Sequence, residues 1–281
     1  MNYQSLLNKY SDLLRINLNN SPNLDCEILL SFVLKIKRLK LMLNLDQEIS
    51  KPEYDNFISL FKQRSKKKPI AYITKQKDFW NSTFFVNKSV LIPRPDTELL
   101  VEETLNILKT NKFKNILDIG TGSGCIIISI LKEFISAKGT GIDISKDAIK
   151  VAKINAKMQH LENRIKFIHS DVDKFLSSKY DLIISNPPYI KKSEIKDLDE
   201  DVKNFEPVLA LDGGSDGLTE IKKVVKNGNR LLKKNGILIL EIANNQFYEV
   251  KKILMKKGFY ILKISKDLSG KNRCIISLKT K

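Results

Sequence analysis

The residues with the most legible chemistry are Asn186-Pro187-Pro188-Tyr189, which follow the apolar run Ile183-Ile184-Ser185. Two consecutive prolines have no N–H to give a sheet ladder, so a strand must end here. Asn186 precedes a proline and is held to extended backbone geometry. The result is a stiff loop carrying an amide side chain, a carbonyl with no amide hydrogen beside it and an aromatic ring. Loops at the C-terminal ends of strands are where open α/β sheets bind ligands. If the Asn186 side-chain oxygen and the Pro187 carbonyl accept both hydrogens of a planar NH2 group, that nitrogen is held and its lone pair partly localised. Tyr189 can stack on the planar group. Catalysis of this kind works by orientation and electrostatics. It needs no strong base, because an alkylated amide nitrogen sheds its proton readily.

A second set of residues would hold the other reactant. Asp118-Ile119-Gly120-Thr121-Gly122-Ser123-Gly124 follows a strand and opens a helix, and its glycines allow a tight turn and close approach of a ligand. The spacing differs from the GxGxxG of dinucleotide binders. Asp143 ends the next strand, 23 residues after Gly120. An acid at that place accepts hydrogen bonds from ribose hydroxyls. Ser145 is the better N-cap of the helix that follows, which leaves Asp143 free. Asp171 ends a third strand and either accepts from an adenine amine or caps a short helix reaching Leu176. The three strand ends describe an adenosine-bearing ligand. A nicotinamide dinucleotide is one candidate, but hydride transfer has no need of an amide–proline clamp. A methyl sulfonium donor has that need.

The elements that must position these groups follow from patterning. Leu6, Leu7, Tyr10, Leu13 and Leu14 recur at helical spacing. Ser21-Pro22 opens a second helix with Asp25 and Glu27 in its first turn, and Ser50-Lys51-Pro52-Glu53 opens a third. Residues 1–76 are therefore expected to form a small helical bundle, used for packing or partner docking. The aromatic segment Asp78–Val86 reads as a hairpin, and 77–91 as the linker between two domains. A helix is expected over 96–109. From Lys114 onward, strand candidates at 115–119, 140–143, 165–169, 180–185, 237–242, 260–264 and 274–278 alternate with helices, including 145–159 and 217–233. That alternation predicts an α/β domain over 92–281 with a mostly parallel sheet and a terminal hairpin.

Composition narrows the function classes. The chain has 281 residues, 42% hydrophobic, enough for a sizeable core, and no apolar run long enough to cross a membrane. Its N-terminus lacks a signal-peptide pattern, so a cytoplasmic location is expected. Three dispersed cysteines, Cys26, Cys125 and Cys274, make neither a disulfide framework nor a metal site. The two histidines are His160, at a helix end, and His169, expected to be a packing residue at a strand end. The net charge of +17 suggests nucleic acid, yet only seven of 49 basic residues are arginine and the lysines are scattered through every segment.

Asp118–Gly124, Asp143 and Asn186-Pro187-Pro188-Tyr189 together resemble the class I S-adenosyl-L-methionine (AdoMet)-dependent methyltransferases that act on amide or exocyclic amino nitrogen. Ile92-Pro93-Arg94-Pro95-Asp96-Thr97-Glu98 resembles the hallmark of the PrmC/HemK family, the release factor glutamine N5-methyltransferases. So do Pro69–Thr74, Phe205-Glu206-Pro207 with Leu209-Ala210-Leu211, Gly213–Leu218, and Asp267-Leu268-Ser269-Gly270 with Arg273. The resemblance implies a seven-stranded methyltransferase sheet, a hairpin linker and an N-terminal bundle of about five helices. It implies AdoMet as co-substrate, with no metal, and the glutamine of the Gly-Gly-Gln motif of peptide chain release factors as acceptor. The implied cofactor-binding residues are Gly120, Thr121, Gly122, Ser123, Gly124, Asp143, Asp171, Val172 and Asn186. Val172 stands where the family often has an adenine-stacking aromatic. Asn186, Pro187, Pro188 and Tyr189 would bind the substrate, with Asn186, Pro187 and Tyr189 carrying the chemistry. A monomer that meets release factors, with no membrane and no stable nucleic-acid complex, is expected. Two rivals share the fold: an adenine-N6 nucleic-acid methyltransferase and a basic, non-catalytic RNA-associated binding protein.

Overall fold

The computed structural model describes residues 1–16, 21–177 and 179–280. The chain divides into two compact units, Met1–Gln76 with Asp199–Phe205, and Lys77–Leu198 with Glu206–Lys281. The first unit contains helices Tyr3–Arg15, Pro22–Leu34, Arg38–Met42, Lys51–Ser65 and Ile70–Thr74. Asn2 caps the first of these by accepting from the Ser5 N–H, and Ser50 and Glu53 form a reciprocal capping box on the fourth. Leu6, Leu7, Tyr10 and Leu14 face inward from the first helix onto Cys26, Leu29, Leu30, Leu41 and Phe57. Under this core lies a buried ion pair, Arg64 Nε to Asp25 Oδ2 at 2.6 Å, and the same guanidinium donates to the Lys68 carbonyl. The helices at Arg38–Met42 and Ile70–Thr74 have five residues each, too few to show a period in the sequence.

A hairpin follows, β1 (Gln76–Phe79) and β2 (Ser82–Phe85), which belongs to the second unit from Lys77 on. The expectation that this stretch is a linker needs correcting. Phe79 and Phe84 are buried in the core of the second unit, and Asn155 accepts from the Phe85 N–H and donates to the Phe85 carbonyl. Seven further strands follow: β3 (Asn115–Ile119), β4 (Lys138–Asp143), β5 (Ile165–His169), β6 (Tyr180–Ser185), β7 (Leu232–Glu241), β8 (Phe259–Lys266) and β9 (Asn272–Lys279). They make one sheet in the order β5-β4-β3-β6-β7-β9-β8. All pairings are parallel except those of β9, which is antiparallel to β7 and β8. The central strands are near-continuous Ile and Leu because both faces are covered, one apolar cluster on each. The chain runs outward from β3 to β5, then returns to β6 on the other side of β3. The strand order reverses between β3 and β6, and the carboxyl ends at such a switch point open a crevice. This is the class I methyltransferase fold.

The buried pair gives a stability prediction for the first unit. Arg64→Ala leaves Asp25 buried without its partner and should destabilise by about 3–5 kcal/mol, read as a lower denaturant midpoint. A loss within about 0.5 kcal/mol would show that the pair contributes little.

Candidate active site

A cleft of about 550 Å³ opens at the carboxyl ends of β3, β4, β5 and β6. Its floor is the turn after β3. There the N–H groups of Gly120 and Thr121 both donate to the Ile142 carbonyl, at 2.9 and 3.0 Å, which folds the turn over the end of β4. Gly120 has φ +73°, and a side chain there would meet nothing within 4 Å, so the turn borders open space. Gly124 differs. It does not line the cleft, and a Cβ there would sit 3.0–3.3 Å from Ile128, Phe167 and Ala152. Its role is close packing of the following helix on the sheet. Below the turn, Asp118 Oδ2 accepts from the Thr121 hydroxyl at 2.7 Å, while Oδ1 is buried without a partner. Burial pushes the Asp118 carboxyl up to about 7, with neighbouring Asp143 adding to the shift and the Thr121 hydroxyl opposing it.

Asp143 lines the cleft as expected, but it is not free. Its Oδ2 accepts from the Gly122 N–H at 2.9 Å and its Oδ1 from the Ser145 N–H at 2.8 Å. Ser145 does cap the next helix, accepting from Ala148. Burial raises the Asp143 carboxyl, and these two backbone bonds oppose that. Each oxygen keeps a lone pair for a further donor. Asp171 and Val172 also border the cleft. The short helix expected up to Leu176 does not form. Asp171 Oδ1 instead accepts from the Asp173 N–H in a tight turn, and Val172 packs on the apolar cluster beside it. His169, expected to be packed, is exposed, with Nε2 2.9 Å from the Ile144 carbonyl.

The opposite wall is the loop after β6. The Ser185 hydroxyl donates to the Ile119 carbonyl at 2.7 Å, pinning the end of β6 to the end of β3. Asn186 Nδ2 donates to the Thr97 hydroxyl at 3.1 Å. Asn186, Pro187 and Pro188 line the cleft with Thr97. Tyr189 does not line it. Its ring packs against the apolar cluster on the β7 side, and its hydroxyl donates to Glu241 Oε1 at 3.2 Å. Burial raises the Tyr189 phenol, and the Glu241 charge adds to that. Gln246 Nε2 donates to the carbonyls of Tyr189 and Gly217, and Ile190 exchanges backbone bonds with Leu211 and Gly213.

Several residues here were missed as site residues. Arg94 lines the cleft and pairs with buried Glu206, whose other oxygen accepts from the Ile92 N–H at 3.0 Å. Arg273 bridges Asp96 at 3.1 Å and Asp267 at 3.0 Å. Glu241 is 2% exposed at the end of β7, and burial pushes its carboxyl up to about 7. The motif segments carrying Arg94, Asp96 and Arg273 were visible, but their partners were not. Glu241 gave one weak signal, an acid closing the apolar run Ile237-Leu238-Ile239-Leu240. Among the described residues, no group of three or more His, Cys, Asp or Glu is placed to hold a metal ion, and no helix is long and apolar enough to cross a membrane.

Known proteins place this arrangement. A family model described as the PrmC N-terminal domain matches residues 5–74, and one described as a methyltransferase domain matches residues 110–274. A release factor glutamine methyltransferase from Clostridium acetobutylicum is 40% identical over 258 residues, spanning 91% of this chain and 90% of its own length. One from Fusobacterium nucleatum is 41% identical over 277 residues, spanning 98% of this chain and 78% of its own. The solved structure of a ribosomal protein L11 methylase from Lactobacillus delbrueckii subsp. bulgaricus superposes with a TM-score of 0.52 at 17% identity, over 70% of this chain and 84% of that one, a likeness of fold alone. With both of its units matched and close relatives aligned over nearly its whole length, the chain belongs to the release factor glutamine methyltransferase family.

Proposed function

We propose that the cleft brings AdoMet together with the side-chain amide of a glutamine, and that the protein methylates the glutamine of the Gly-Gly-Gln motif of peptide chain release factors. Family membership supports the substrate, and the orientation of Asn186 supports the chemistry. Because its Nδ2 is spent on Thr97, its Oδ1 is left as the free acceptor on the cleft side. An acceptor there suits an NH2 group.

The residues present fit AdoMet. The Gly120–Ser123 turn borders open space, and Asp143 keeps acceptor capacity for ribose hydroxyls. Asp171 and Val172 border the same end of the cleft and would meet the adenine, by hydrogen bonding and apolar contact respectively. Bound there, AdoMet supplies an electrophilic methyl group on a sulfonium. The chain's own residues orient the acceptor. Asn186 Oδ1 and the Pro187 carbonyl accept its two N–H groups, which fixes the nitrogen and raises electron density on it. The prolines keep this wall from yielding, because their φ angles are locked. Tyr189 acts from behind, anchoring the loop to Glu241 rather than stacking on the substrate. Once alkylated, the nitrogen loses its proton to solvent. The same reading makes the protein a cytoplasmic monomer that meets release factors transiently and forms no stable nucleic-acid complex.

Three outcomes test this. Incubated with methyl-labelled AdoMet, the protein should label an unmodified release factor and leave adenine-containing DNA unlabelled; the reverse pattern would favour the nucleic-acid reading. Asn186→Ala should lower kcat by about 100-fold or more, the scale for loss of a preorganised polar group, with AdoMet affinity only modestly weaker. Normal turnover would remove the clamp. Asp143→Ala should weaken AdoMet binding about 10- to 100-fold by calorimetry, from the loss of charge-assisted hydrogen bonds. Unchanged affinity would take Asp143 out of the ribose site.

A further inference from the structure

We propose that Gln246 is a positioning residue for the clamp: its side-chain amide fixes the backbone of the Asn186–Tyr189 loop from behind, and glycine is required at 217 to let it do so. This rests on the reading above that Asn186 Oδ1 and the Pro187 carbonyl accept the hydrogens of an NH2 group. A loop with two prolines has few handles. Neither Pro187 nor Pro188 has an N–H, so the backbone there can be tied only through its carbonyls and its ends. The Pro187 carbonyl has to stay open to the substrate. The carbonyl that is tied lies two residues on, at Tyr189.

Gln246 makes that tie. It is buried in the turn Asn244–Gln246 that follows β7, and it lines no part of the cleft. Its Nε2 gives one hydrogen to the Tyr189 carbonyl and the other to the Gly217 carbonyl, both at 3.0 Å. Its Oε1 accepts from the Ala243 N–H at 3.1 Å. All three partners are backbone groups whose roles cannot switch, so only one orientation of the amide satisfies them. One side chain thus joins the end of β7, the loop after β6 and the 213–217 loop. The φ angles of Pro187 and Pro188 are locked, so the placement of the Tyr189 carbonyl carries back to the Pro187 carbonyl with little slack.

The Gly213–Leu218 segment is shaped to admit the tie. The Gly213 N–H donates to the Ile190 carbonyl at 2.8 Å, which draws the two loops together. Gly217 has φ +72°, and a Cβ there would stand 2.6 Å from the Tyr189 carbonyl oxygen and 2.8 Å from Gln246 Nε2. A Cβ on Gly213 would stand 2.9 Å from the Pro188 carbonyl oxygen and from the Tyr189 carbonyl carbon. These neighbours are backbone and cannot swing aside as a flexible side chain would. A methyl group at either glycine therefore displaces the clamp loop itself.

The test measures single-turnover methyl transfer to a release factor at saturating AdoMet, with AdoMet affinity by calorimetry, for wild type, Gln246→Leu, Gln246→Glu and Gly217→Ala. The rate constant of such a time course counts folded molecules only, so a loss of stability alone does not lower it. Gln246→Leu keeps the bulk and removes the tie. Its saturated rate should fall about 10- to 100-fold, the scale for slightly misplaced reacting groups, with AdoMet affinity within about threefold. Gln246→Glu gives a readout that packing alone would not move. As a neutral acid it keeps one hydrogen to donate; as a carboxylate it has none and faces two carbonyl oxygens. Burial and those carbonyls favour the neutral form and hold its pKa above the ordinary ~4.3, so its rate relative to wild type should fall as pH rises from about 5.5 to 8.5. Lys191, whose stem borders Gly217, offers the new carboxylate little, because its amine is paired with Glu194 at 3.3 Å. Gly217→Ala should slow the saturated rate as Gln246→Leu does, and it stands as a test if the Gln246 variants fail to fold. A wild-type saturated rate in Gln246→Leu or Gly217→Ala would overturn the proposal, as would a Gln246→Glu enzyme that matches wild type at high pH. If wild type labels adenine-containing DNA and not the release factor, the substrate reading fails, and the same comparison on DNA still decides this one.

Discussion

The hydrogen bond from Asn186 to Thr97 joins residues 89 positions apart and fixes the one side chain on which the proposed chemistry turns. Everything around it serves to hold its two ends. Asn186 is set by the Ser185 pin between β6 and β3, and by prolines that cannot join a ladder. Thr97 closes the turn that leads into helix Glu98–Thr110, an approach staked by Arg94 to Glu206 and by Asp96 to Arg273. The segments that look unrelated along the chain, around residues 92–98, 186–189, 206–218 and 267–273, are thus parts of one support behind one loop. An arrangement of this kind keeps an amide within the narrow geometry that methyl transfer to a weak nucleophile needs.

That support is not built for maximum stability. Asp118 and Glu241 are both buried acids, each with one oxygen lacking a hydrogen-bond partner, and both are pushed up to about 7. Their folded-state affinities for protons exceed those of the unfolded chain. The stability tied to them is fully present below the ordinary carboxylate range and falls as pH rises through about 7. An apolar residue at either position would avoid this cost. Both acids lie at the carboxyl ends of strands beside the cleft, where charge can serve function at the expense of stability.

Much of the fold was legible in the sequence, for a physical reason. The bounds of β3, β5 and β6 follow directly from apolar runs cut off by Gly120, Ser170 and Asn186. The start of β7 at Leu232 was missed, because Lys233-Lys234-Asn235 breaks the apolar pattern before the strand core. The clamp and the glycine turn were legible because prolines and glycines impose local backbone geometry. What sequence could not show was pairing across the fold. Asp143 looked free because its partners, the N–H groups of Gly122 and Ser145, are backbone and leave no mark on residue type. Tyr189 looked like a stacking ring because nothing nearby in the chain announces Glu241. The hairpin looked like a linker because its tie, Asn155, lies 70 residues away on a helix.

The central claim is that Thr97 holds the Asn186 amide in the orientation that methyl transfer needs, and a double-mutant cycle on kcat tests it most directly. Asn186→Ala, Thr97→Val and the combined variant are compared with wild type in methyl transfer to a release factor. If Thr97 acts through Asn186, the losses should be non-additive, with the double variant about as slow as Asn186→Ala. Rate losses that multiply in the double variant would show two independent effects and contradict the account.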